Sequence, residues 1–167
     1  MDINYLAVLV AALVPLVVGF IWYNPKVLGN AWMKAAGLDE EKLKGANMAV
    51  IFGLSFVFSF LLAFFSQMLV IHQLHIGAAF FDYQEQIKDV ATPEGAIYKQ
   101  VMDLVGSGHR TFGHGAFHGV LSGLFLVMPI LATNAMFERK GFKYIAINTG
   151  YWIICLAIMG GIVCGWV

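Results

Sequence analysis

Charge is what this sequence has least of. Lys, Arg, Asp and Glu make up 12% of its 167 residues, where soluble domains average roughly 25%. The ten basic and ten acidic residues cancel, so the basic footprint of a nucleic-acid binder is missing and no nucleic-acid partner is expected. Cysteine is equally scarce. Cys155 and Cys164 share one apolar run on opposite sides of a helix, so they cannot bridge each other and read as small apolar fillers. Motifs of soluble enzymes are absent too: there is no G-x-S-x-G, no Walker motif and no C-x-x-C. The stretch "GSGHRTFG" imitates a dinucleotide loop, but its third glycine is misplaced and no strand precedes it. Ser66 and Ser107 have no histidine at a spacing that supports acyl transfer.

What fills the space is apolar sequence, 60% of the chain. Four runs exceed the ~18 residues that read as a membrane span: residues 5–23, 47–71, 112–137 and 144–167. None contains Lys, Arg, Asp or Glu. Backbone in hydrocarbon must satisfy itself, so these runs are helices. Pro15 and Pro129 lie inside two of them and are expected to kink each. The expected fold is an all-α integral membrane protein. Four transmembrane helices form an antiparallel bundle in a single domain, with short amphipathic helices in the first and second loops. The first run carries Asp2 where a cleaved leader has basic residues, and it continues into Trp22-Tyr23-Asn24-Pro25, so it reads as a retained span.

Basic residues are unevenly shared between the loops. Lys26, Lys34, Lys42 and Lys44 lie in the first, Arg139, Lys140 and Lys143 in the third, and Lys88, Lys99 and Arg110 in the second. The positive-inside rule therefore puts loops one and three in the cytoplasm, with both termini and the middle loop outside. The implied location is a membrane crossed several times, with lipid as the first partner. In loop one, Asn24-Pro25 reads as a cap followed by a first-turn proline, and Gly37 as the stop. In the middle loop (72–111), Phe80, Tyr83, Ile87 and Val90 recur at helical spacing, and Thr92-Pro93 opens a second helix that ends by Gly106.

All five histidines fall on the outer side of this topology. His72 and His75 leave the second span; His109, His114 and His118 enter the third, in "GHRTFGHGAFHG". His114 and His118 are four apart on one helical face, the geometry of a bidentate metal site, and His72 and His75 are also helical neighbours. Two helices that each offer a histidine pair can build a metal site in a bundle. A divalent metal suits the set better than haem, which needs facing histidines and room for a macrocycle. A proton-responsive role and plain structural histidines at a helix end are the competing readings.

Glycine gives a second pattern. Gly115, Gly119 and Gly123 make two overlapping G-x-x-x-G steps, and Gly161 and Gly165 another. Small residues on one stripe let helix backbones approach closely, within the bundle or between protomers. Polar residues inside the runs are few. Asn134, Glu138 and Asn148 are expected to meet near the cytoplasmic end, bonding between helices. The absence of an ionisable carboxylate or amine in any span counts against a pump or ion carrier.

The segment W-Y-x-P-x-x-x-G-x-x-W, here Trp22, Tyr23, Pro25, Gly29 and Trp32, and the later N-x-G-Y, here Asn148, Gly150 and Tyr151, resemble a family of small bacterial membrane proteins, the domain of unknown function 1761. The resemblance covers residues 19–38 and 134–166 and is weakest over 72–110. It implies four spans and a bacterial inner membrane; it assigns no activity, cofactor or catalytic residue. The first expectation is thus a non-enzymatic subunit that self-associates or joins a larger membrane complex through its glycine faces. The alternative is a metal- or haem-binding membrane protein using the outer histidines. A small carrier or channel, with a path past Gln67 and Asn148, is the third.

Overall fold

Side-chain caps set where the helices begin. In the computed structural model, which describes residues 3–167 and only the backbone of Glu40, the Asn4 side chain accepts from the Ala7 N–H at 3.0 Å. Helix α1 (Tyr5–Trp22) follows. Asp2, used above against a cleaved leader, lies outside the described residues. Asn24 accepts from the Lys26 N–H at 2.9 Å, ahead of a π-helical turn (Pro25–Gly29) and α2 (Asn30–Ala36). Gly37 ends α2 with a φ of 74°, left-handed backbone that glycine adopts without a Cβ clash. After a one-turn α3 (Glu40–Leu43), Asn47 caps α4 (Met48–Val70) by accepting from the Val50 N–H.

Helix α4 breaks at Ile71, whose φ of −107° and ψ of 99° are extended, and the chain re-enters a helix as α5 (His72–Ala79). Two 3₁₀ turns, Phe81–Tyr83 and Gln86–Lys88, lead to α6 (Pro93–Val105). The rest of the chain comprises α7 (Phe112–Ser122), a π-helical turn (Gly123–Val127), α8 (Met128–Phe137) and α9 (Phe142–Gly165). No strand occurs among the described residues.

One difference from the sequence reading has a local cause. The helix expected through Phe80, Tyr83, Ile87 and Val90 is replaced by the two 3₁₀ turns. Side chains there satisfy the backbone in turn geometry. Gln84 Nε2 donates to the Gly77 and Phe80 carbonyls, and Thr92 Oγ1 donates to those of Gln86 and Asp89. Polar side chains that bond nearby carbonyls offer the chain an alternative to the helix. Pro129, expected to kink the third span, sits in the first turn of α8, directly after the π-helical turn. A proline removes one donor from the helical ladder, and a π-turn is a usual place to absorb such a defect.

Four stretches are long and apolar enough to cross a membrane: Tyr5–Trp22, Met48–Val70, Phe112–Phe137 and Phe142–Gly165. Their outward faces carry large apolar side chains, among them Phe20, Phe58, Phe125 and Phe137. Contiguous apolar surface of this kind is rare on proteins surrounded by water. Inside, Val8, Ala11 and Ala12 of α1, Ala63 and Val70 of α4, and Cys155, Met159, Val163 and Cys164 of α9 form one buried cluster. Helix α9 touches the other three spans and makes its most extensive contact with α7.

Candidate metal centre

The cluster is assembled from two helix starts and one loop. Helix α5 begins at His72 because Ile71 is extended, which places His72 and His75 on a new helical axis. Helix α7 begins after Thr111, whose hydroxyl accepts from the His114 N–H at 3.2 Å, and this sets His114 and His118 on its first two turns. Between them runs the loop of residues 106–111. Gln73 Nε2 donates to the carbonyls of Gly106 and Gly108, each at 3.0 Å. The Cys164 thiol donates to the His109 carbonyl at 3.3 Å, and Arg110 Nε donates to the Cys164 carbonyl at 2.8 Å. These bonds hold the loop against the start of α5 and the end of α9. His109 itself takes a φ of 64°, an uncommon conformation for a residue with a side chain.

The five imidazoles converge. His72 Nε2 stands 2.9 Å from His114 Nε2, so one of the two nitrogens carries the proton and the other accepts it. Ring centroids lie 4.5 Å apart for His114 and His118, 4.9 Å for His109 and His114, and 5.3 Å for His72 and His118. His75 sits at the edge, 6.4 Å from His72. One nitrogen from each of His72, His114 and His118 falls within a group no wider than 4.8 Å. A tetrahedral ion with metal–nitrogen bonds of about 2.0–2.1 Å needs its ligand nitrogens roughly 3.3 Å apart. The His72–His114 contact of 2.9 Å is slightly shorter than that spacing, and the three-nitrogen group, at up to 4.8 Å, brackets it. A haem with two axial histidines needs nitrogens roughly 4 Å apart, with a ring plane between them. The 2.9 Å contact leaves no such gap between His72 and His114. His72 is exposed and His114 and His118 are half-buried, so the site opens to the medium on one side.

The glycine stripe lies next to this cluster and is covered by the chain itself. A Cβ on Gly115 would fall 2.0 Å from the Gly160 carbonyl oxygen, one on Gly119 would fall 2.1 Å from that of Leu156, and one on Gly123 would fall 2.7 Å from Ile153. Residue numbers rise along α7 as they fall along α9, so these two helices pack antiparallel with backbones nearly touching. Gly161 and Gly165 face Phe112, with Cβ positions 2.6 and 2.7 Å from its ring and amide nitrogen.

The three polar residues expected to meet do not. Asn148 donates to the Tyr144 carbonyl at 2.8 Å and accepts from the Tyr23 hydroxyl at 3.0 Å. Asn134 and Glu138 are exposed, and among the described residues no side-chain bond links either to Asn148. Near them, Lys140 Nζ donates to the Ala36 carbonyl at the end of α2. Sequence reasoning missed Gln73 entirely. It is 2% exposed, and only its place between two outward histidines in "IHQLH" marked it.

A family model described as "Protein of unknown function (DUF1761)" matches residues 6–164, including the middle loop where the resemblance was weakest. No curated protein and no solved structure matches the chain.

Proposed function

The chain belongs to the DUF1761 family, and on that premise we propose that it is a multi-pass membrane protein that binds a divalent transition metal through His72, His114 and His118. The observation that carries this reading is the convergence of three imidazole nitrogens within 4.8 Å from two helices separate in sequence. Three neutral nitrogen ligands and one open position suit Zn²⁺ or Cu²⁺, and copper ranks above zinc in intrinsic affinity. His109 and His75 stand close enough to exchange into the set. Among the described residues the cluster contains no carboxylate, so metal binding is proposed without a hydrolytic step.

The four spans form one antiparallel bundle in a bacterial inner membrane, and the site lies on its outer face. Two observations support this orientation. The basic residues concentrate in loops one and three, and Lys140 of loop three bonds the Ala36 carbonyl of loop one, which puts those loops at one end. Self-association through the glycine stripe draws less support, because α9 already fills it.

The test is a zinc titration of the purified full-length chain in detergent, with metal analysis after dialysis. One equivalent retained by the native protein and lost on His114→Ala with His118→Ala supports the reading. Equal retention by both proteins, or none by either, overturns it.

A further inference from the structure

The end of the bundle away from the histidines holds a cavity of about 860 Å³ between α1, α4 and α9. Its size lies in the range of small-molecule sites, roughly 300–1,000 Å³. Aromatic rings dominate the wall: Phe20, Phe52, Tyr151 and Trp152 contribute, and among the described residues no charged side chain does. Phe20 and Phe52 are exposed on the rim, so the cavity opens sideways, to the medium that surrounds the spans.

The wall carries polar groups at Tyr23, Asn24, Trp32 and Tyr151, with the two tyrosine hydroxyls already bonded, and at two serines. Ser55 and Ser59 are four apart on α4 and both line the cavity. Serines elsewhere in the spans return their hydroxyls to their own helix: Ser66 donates to Ala63 and Ser122 to His118, each at 2.8 Å. Ser55 and Ser59 make no such bond, and among the described residues neither has a hydrogen-bond partner. A hydroxyl in apolar surroundings without a partner is unfavourable. The pair therefore offers two donors to an incoming acceptor within a largely apolar wall.

We propose that this cavity binds a neutral, lipid-soluble carbonyl compound of the quinone type. The flat ring lies among the aromatic side chains, its carbonyl oxygens accept from Ser55 and Ser59, and its hydrocarbon tail leaves by the lateral opening. Aromatic walls favour a flat ring through offset and edge contacts. The lack of a cationic side chain disfavours a phosphate headgroup. An ordinary acyl chain has no use for the two hydroxyls.

The experiment titrates the full-length chain in phospholipid nanodiscs with decylubiquinone and follows tryptophan fluorescence, since Trp32 and Trp152 line the wall. Tryptophan octyl ester in protein-free nanodiscs corrects for quinone dissolved in the bilayer. The expected result is saturable quenching above that control. Replacing both hydroxyls (Ser55→Ala with Ser59→Ala) should weaken binding about tenfold, the worth of two neutral hydrogen bonds. Decylbenzene, which has the ring and tail without carbonyls, should compete poorly. Quenching that only matches the control, an unchanged midpoint in the serine variant, or equal competition by decylbenzene overturns the proposal.

Discussion

Gln73 does more for the histidine cluster than its neighbours suggest. Its amide nitrogen binds two carbonyls of the loop that carries His109, from a position closed to solvent. Shortening it, as Gln73→Ala, should release that loop while leaving the proposed ligands His72, His114 and His118 in place. Groups bonded directly to metal ligands typically contribute about 10–100-fold to metal affinity, and Gln73, which bonds the loop rather than a ligand, is expected at the lower end. Zinc affinity measured by chelator competition should fall within that range; an unchanged value would show that the loop is held without Gln73. At the other end, the Tyr23 hydroxyl bonds Asn148. Tyr23→Phe removes that bond and should cost about 0.6 kcal/mol, the usual worth of a hydrogen bond between spans, read from reversible unfolding in mixed micelles. The histidines could be read from sequence because i, i+3 and i, i+4 spacing and a shared membrane face are local facts. Gln73 and the Tyr23–Asn148 pair could not, because each depends on contacts between residues more than thirty positions apart.

Among the elements, the α7–α9 seam is the least forgiving. Gly119→Leu would drive a side chain into the Leu156 carbonyl, where even a Cβ has 2.1 Å. Overpacking a close contact costs about 1–3 kcal/mol and more when backbone must move. Thermal denaturation in detergent should show a large loss of stability, with assembly changing only as a consequence. A melting curve like that of the native protein would mean the seam is looser than drawn. Helix α6 depends on a different device. The Gly95 N–H donates to the Thr92 hydroxyl at 3.1 Å, and Thr92→Ala should cost about 1 kcal/mol. Faster amide exchange in the first turn of α6, with the spans unaffected, is the expected signature. The cap of α6 and the glycine repeats were legible because each is carried by a few residues at fixed spacing. The helix expected over residues 80–90 was not realised. Its apolar period was real, but Gln84 and Thr92 hold the local carbonyls in turns, and periodicity alone does not register that competition.

For the molecule as a whole, the long apolar runs were the plainest signal, since hydrocarbon leaves a chain without water few options other than helix. Less legible was which helix would be central. Nothing in composition singled out the fourth run, yet α9 contacts every other span because its glycines and small side chains admit close neighbours. The proposed orientation makes a direct prediction. Single cysteines introduced at Lys42 and at Asp89, in a background with Cys155→Ala and Cys164→Ala, should label from opposite sides of sealed vesicles with an impermeant maleimide. The Asp89 position is expected to label from outside and the Lys42 position only after permeabilisation; the converse pattern would reverse the topology, and labelling from the same side would dismantle it. The anchoring of the histidine loop to Cys164 also has a bearing on biosynthesis. Cys164 belongs to the last of the four spans to leave the ribosome, whereas His72 to His118 emerge much earlier. The cluster therefore lacks this anchor until α9 inserts and closes against α7, so the proposed metal site can reach its final geometry only once insertion of the fourth span is complete.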